Sequence, residues 1–164
     1  MEYDIDEEGE LHRLDYTKPL EHKPIRVIKV DGELFFGAAD IFQTTLKTIA
    51  EDDTSTRVII LQLKNARDID ATSCLAIHHL HGYLKSSKRH LVACGIMQQV
   101  WDVLSDSGLI EQLGKENLFI FDEHHPHLHM VKALRHARLI VSNDEAANVK
   151  EKLTTPPDAV LSEN

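Results

Sequence analysis

RVIILQLKNARDIDATSCLAI, residues 57–77, joins a buried strand to an amphipathic helix and so sets the architecture of the chain. Its opening run, Val58-Ile59-Ile60-Leu61, is apolar at every position. That is the pattern of a central strand covered on both faces, and it predicts a strand over 58–63. A polar loop then leads to Asp70-Ala71-Thr72-Ser73. From there Ala76, Leu80, Tyr83 and Leu84 mark one face of a helix. A hydroxyl at the mouth of a helix, just past a buried strand, is well placed to meet an anion or to accept a phosphate. The stretch therefore points to a binding or switching surface rather than a catalytic centre.

Working outward, residues 25–30 alternate as I-R-V-I-K-V and predict a strand. Asp31-Gly32 is a turn signal, and Glu33-Leu34-Phe35-Phe36 comes next as a second short strand, so the two read as an antiparallel hairpin. Phe35 and Phe36 would point to opposite faces. Gly37-Ala38-Ala39 leads into a helix whose Phe42, Leu46 and Ile49 share a face. Downstream come a strand over 90–93, a helix over 98–107 stopped by Gly108, a strand over 118–121 and a helix over 127–140 after Pro126. This order predicts an α/β layer fold: a mainly parallel sheet with an antiparallel first hairpin strand, flanked by about four helices. The domain is expected over 25–141. Residues 1–24, broken by Pro19 and Pro24, read as a lead-in with one short strand around 10–14. Residues 142–164 read as a disordered acidic tail.

The net charge of −9 is unevenly spread. Residues 1–24 carry −5 and 142–164 carry −3, which leaves −1 for 25–141. A near-neutral middle is not the clustered Lys and Arg surface that nucleic acid requires, so no nucleic-acid partner is expected. No apolar run approaches the roughly 20 residues of a membrane span. Cys74 and Cys94 sit in apolar surroundings and read as reduced packing residues.

Three phrases carry a resemblance: VDGELFFGAADIF (30–42), VIILQLKNARDIDATSCLAI (58–77) and VLSDSGLIEQLGKENLFIF (103–121). Together they resemble a STAS domain, and more narrowly the cytoplasmic carboxy-terminal STAS domain of a SulP-type anion transporter. The phrase at 32–39 is the most specific, because free-standing STAS proteins usually lack it. The resemblance implies a STAS-like fold and a regulatory, protein-interaction role without catalysis or cofactor. It implies a place at the cytoplasmic face of the cell membrane. The transmembrane domain of the same transporter, moving sulfate, bicarbonate or a dicarboxylate, would be the main partner, with soluble regulatory proteins and a second copy of the chain as further ones.

In free-standing relatives, the anti-sigma factor antagonists, a Ser or Thr in an Asp-Ser-Ser-Gly-like junction is phosphorylated by a partner kinase. Thr72 falls at the matching position and is the candidate phosphoacceptor; Ser73 stands where those relatives have Gly. Asp68, Asp70, Thr72 and Ser73 form the candidate interaction loop. A phosphate on Thr72 would add about −1.5 to −2 charge near a helix N-terminus, worth about 0.3–1 kcal/mol. Asp68 and Asp70 would oppose it at close range. The two effects are of similar size, so modification would change a surface rather than refold the domain. The plainer role for Thr72 is that of an N-cap hydroxyl.

The same residues allow two rival functions. One is a free-standing anti-sigma factor antagonist switched by phosphorylation. The other is a small α/β protein using its histidines for metal. His78, His79 and His81 form one cluster, with His78 and His81 on a shared helical face; His124, His125, His127 and His129 form the second. Neither cluster has zinc-site spacing, so no metal is expected and surface or half-buried roles are the simpler reading. Asp31, Asp70, Asp122 and Glu123 stand at strand ends, where they shape turns.

Overall fold

The computed structural model describes residues 2–5, 11–13, 24–34 and 55–154. Six strands form one sheet: β1 (Glu2–Ile5), β2 (Leu11–Arg13), β3 (Ile25–Leu34), β4 (Val58–Ile69), β5 (His90–Ile96) and β6 (Leu118–Ile120). Their spatial order is β2-β1-β3-β4-β5-β6. β3, β4, β5 and β6 are parallel, while β1 lies antiparallel to both β2 and β3. The described helices are α1 (Ala71–Ser86), α2 (Gln98–Asp106), α3 (Leu109–Leu113) and α4 (Leu128–Thr154), with a 3₁₀ turn over Lys115–Asn117 before β6. The expected class, a mainly parallel sheet with an antiparallel start flanked by helices, is the one observed.

Alternation in the strands sorts the core onto two faces. Ile28, Ile59, Leu61, Leu91 and Ala93 pack with residues of α1, α2 and α3, among them Ile77, Leu80, Leu84, Val100, Leu104 and Ile110. Val27, Val58, Ile60, Val92 and Cys94 pack instead against Met130, Ala133, Leu134 and Ala137 of α4. Cys74 and Cys94 are both buried and free, as their apolar settings implied. Burial alone pushes the Cys94 thiol up to about 12.

Irregular register explains where the expected elements shift. Between Lys29↔Gln62 and Asp31↔Asn65, β4 uses one more residue than β3, and it does so again between Gly32↔Ala66 and Leu34↔Ile69. Each extra residue is a bulge that reverses the facing of the strand beyond it. Leu63, Ala66 and Ile69 therefore all reach the same core at a spacing of three. The expected polar loop over 64–69 is thus bulged strand, and Asp68 lies within it. The expected hairpin at Asp31-Gly32 is corrected for the same reason. β3 runs through that dipeptide to Leu34 because bulged β4 stays in parallel register beside it. The antiparallel hairpin is instead β1–β2, inside the segment expected to be a lead-in, and β2 falls where a short strand was expected. Phe35, Phe36 and the helix expected around Phe42, Leu46 and Ile49 lie outside the described residues.

A third irregularity sits in β5. Gly95 has φ +67, and a Cβ there would come within 3.0 Å of the Lys64 backbone nitrogen. This left-handed residue accompanies the register shift between Cys94 and Ile96, so Ile96 turns to the α1 face instead of sharing that of Cys94. Gly108, at φ 76, ends α2 as its position implied, and α3 begins directly after it, burying Leu109, Ile110 and Leu113. α4 corrects the other boundary. The tail expected from residue 142 is helical through Thr154, because 144–152 is rich in Ala, Glu and Lys, strong helix formers that need no buried face.

Candidate functional site

The corner between β4 and α1 holds the sequence-expected site. Asp70 has extended backbone angles (φ −103, ψ 173), and its carboxylate accepts a hydrogen bond from the Ser73 N–H at 2.8 Å. Its carbonyl accepts from the Cys74 N–H at 3.0 Å. Asp70 is therefore the N-cap, the role considered for Thr72. The signal was present in the sequence: a capping side chain satisfies the N–H three residues on, and Asp70–Ser73 has that spacing.

With the cap supplied by Asp70, Thr72 stands in the first turn of α1, half-buried. Ala71 and Leu75 are exposed beside it, Leu75 at 52%. Ser73 is fully buried, so it does not belong to an exposed loop surface, contrary to expectation. Its small side chain fits beneath the helix where larger neighbours Cys74 and Ile77 begin the core stripe. Burial raises the Cys74 thiol above its ordinary range; the Ser107 hydroxyl opposes that shift and the Asp70 carboxylate adds to it. A buried, protonated Cys74 is a packing group rather than a nucleophile. The structure thus brings Asp70, Thr72 and Ser73 together on one turn, with one residue capping, one half-buried and one in the core.

The histidines take separate tasks. His78 Nδ1 bonds the Gln112 side chain at 2.7 Å, and its ring meets that of His79 with centroids 5.7 Å apart. Burial lowers the His81 pKa, and the charges of Lys85 and His78 add to that effect. In the second cluster, Asp122 accepts from the His124 N–H at 2.9 Å and bonds His125 Nδ1 at 3.0 Å, the turn-shaping role expected of it. Those hydrogen bonds hold its carboxyl below the usual range. His129 is buried at 3% exposure against the Phe121 ring, and its Nδ1 has no hydrogen-bond partner among the described residues. Burial, then the nearby Lys64 charge, lowers its pKa, against an opposing contribution from the Pro126 backbone. Among the described residues, no three His, Cys, Asp or Glu side chains are grouped to hold a metal ion. Among the same residues, no helix is long and apolar enough to cross a membrane.

Comparison with known proteins adds to this geometry. The model of the STAS domain family matches residues 16–125. No curated protein matches the sequence. Among solved structures, a sulfate transporter family protein from Wolinella succinogenes is 27% identical with a TM-score of 0.63, over 78% of this chain and 96% of that one. The SulP transporter STAS domain from Vibrio cholerae is 19% identical with a TM-score of 0.53, over 61% and 76% of the two chains. The murine Solute Carrier 26 family member A9 anion transporter, in its inward-facing state, is 16% identical with a TM-score of 0.60, over 76% of this chain and 19% of that one. The last two likenesses concern the fold alone.

Proposed function

The chain belongs to the STAS domain family, and from that premise we propose that it is the regulatory and docking domain of a SulP-type anion transporter, without catalysis of its own. The observation that carries this reading is the likeness to the Wolinella sulfate transporter family protein, which extends over nearly the whole of that chain. The site is consistent with it. The β4–α1 corner offers a capped turn with half-buried Thr72 and an exposed Leu75, features of a contact surface rather than of an enclosed reaction centre. In this reading the domain sits at the cytoplasmic face of the membrane, docks on the transmembrane part and adjusts transport. Its acidic ends are repelled by the anionic lipid surface.

Thr72 is the proposed point of control. Phosphate there would place a dianion in the first turn of α1 beside the Asp70 carboxylate, altering the docking surface while leaving the core of α1 untouched. Anion uptake by cells carrying the complete gene, with or without residues 1–164, tests the reading. Removal of the domain is expected to reduce uptake or delivery to the membrane without altering ion selectivity. Unchanged uptake and delivery would overturn it. Thr72→Glu and Thr72→Ala, compared in the same assay, are expected to diverge; identical transport by both would remove Thr72 from the proposal.

A further inference from the structure

At the opposite end of the sheet from Thr72, the β4 and β5 N-termini border a cleft of about 410 Å³. Arg57 enters it from the residue before β4, Lys85 from the last turn of α1, and Lys88 and Arg89 from the turn into β5. Among the described residues only one acidic side chain lines it, Asp144 of α4, and that carboxylate bonds His90 Nε2 at 3.1 Å. In a chain of net charge −9, this is, among the described residues, a local concentration of positive charge.

The simplest account of cations at a helix C-terminus is that they complement its dipole. Two observations exceed that account. First, the terminal carbonyls of α1 already have donors. Tyr83 O accepts from the Ser86 and Ser87 hydroxyls at 2.8 and 3.1 Å, Leu84 O accepts from the Arg89 N–H at 2.7 Å, and Lys85 O accepts from the Lys88 N–H at 3.1 Å. Second, Arg57 comes from a different element, and its backbone is fixed in place: its N–H donates to Pro24 O at 2.7 Å, and its carbonyl accepts from the His90 N–H at 2.9 Å. Lys88 adds a third point. It alone among the described non-glycine residues has positive φ, at 59, where Gly or Asn would be at ease. That conformation closes the C-terminal turn of α1 and leaves the exposed Lys88 at the rim of the cleft.

We propose that this cleft binds a phosphate monoester, carried by a small polar metabolite or displayed as the headgroup of an anionic lipid. The dianion matches the cations Arg57, Lys85 and Lys88, and Arg57 carries a guanidinium fork suited to phosphate oxygens. The cleft volume falls within the range of about 300–1,000 Å³ that small-molecule sites occupy, larger than a bare anion requires. Asn148, also in the lining, supplies an amide for a polar body attached to the phosphate. The cleft does not involve Thr72, and the inference stands apart from the transporter reading.

The test uses the full 164-residue chain. Amide resonances are tracked by NMR during titration with glycerol 3-phosphate, and co-sedimentation is measured with phosphatidylcholine vesicles with and without phosphatidic acid. Saturable shifts confined to Arg57, Lys88, Arg89, His90 and their neighbours are expected, with Thr72 unmoved. The double variant Arg57→Gln/Lys88→Gln is expected to weaken binding at least about tenfold. Lys88→Gln alone, at an exposed position, gives a smaller loss in the same direction and covers misfolding of the double variant. Response to the soluble ligand without vesicle association assigns the site to a metabolite; vesicle association that needs phosphatidic acid and is lost in the variants assigns it to a lipid headgroup. No saturable response in either arm, or a response that the variants leave intact, overturns the proposal.

Discussion

The two faces of the sheet solve the packing problem differently. On one, α1, α2 and α3 fill the space with large aliphatic groups such as Ile77, Leu80, Leu84 and Leu104. On the other, α4 is the helix that packs among the described residues, and two of its contact positions are Ala133 and Ala137, both fully buried. Small residues let a helix lie close over Val27, Ile60 and Val92. One face is therefore held by volume and the other by proximity, and opposite kinds of substitution should break them.

The largest effect is expected from Leu80→Ala, which empties a fully buried site on the first face. Loss of about 2–5 kcal/mol is expected in urea unfolding, with the slope unchanged. A loss below that range would mean that the face collapses to refill the void. The mirror experiment is Ala137→Leu, which forces bulk between α4 and the sheet. It should cost about 1–3 kcal/mol, whereas the same measurement finding it neutral would deny the close approach. Next in size is Asp70→Ala, which leaves the Ser73 N–H without its cap acceptor and should cost about 0.5–2 kcal/mol. Asp70→Asn should recover most of that loss; failure to do so would refute the capping role.

Smaller and confined to acid is the effect of His129, at the start of α4. Its folded pKa lies below the ordinary 6.5, so the unfolded chain takes the proton first as pH falls. The stability it contributes is fully present above 6.5 and is lost progressively below that value as pH falls toward the folded pKa. Thermal unfolding of the native chain and of His129→Leu should differ in pH slope across that interval; parallel slopes would show that His129 is not responsible. The smallest effect is expected at Thr72→Ala, within about ±0.5 kcal/mol, because Asp70 already holds the cap and the side chain is only half-buried.

Much of the fold was legible because local patterns are strong where burial is regular. The unbroken apolar run at 58–61 marked a central strand, and the stripe through Leu80 and Leu84 marked α1. Misreadings cluster where a bulge breaks the two-residue period. Leu63, Ala66 and Ile69 reach one core at every third position, a spacing that resembles neither a strand nor a helix. Asp31-Gly32 has the composition of a turn but is kept extended by its pairing with Asn65 and Ala66. At the corner, Asp70 and Ser73 carried a readable capping signal, but the burial of Ser73 depends on how α1 settles on the sheet.

The class of fold, the family and the place of Thr72 at the head of α1 follow from the order of residues, because these rest on side-chain patterns between near neighbours. The bulged reach of β4, the close seat of α4 and the meeting of Arg57 with Lys85, Lys88 and Arg89 arise only once the sheet has assembled. Those depend on register and on residues distant in the chain, and no local preference specifies which distant groups a parallel sheet will bring to the same end.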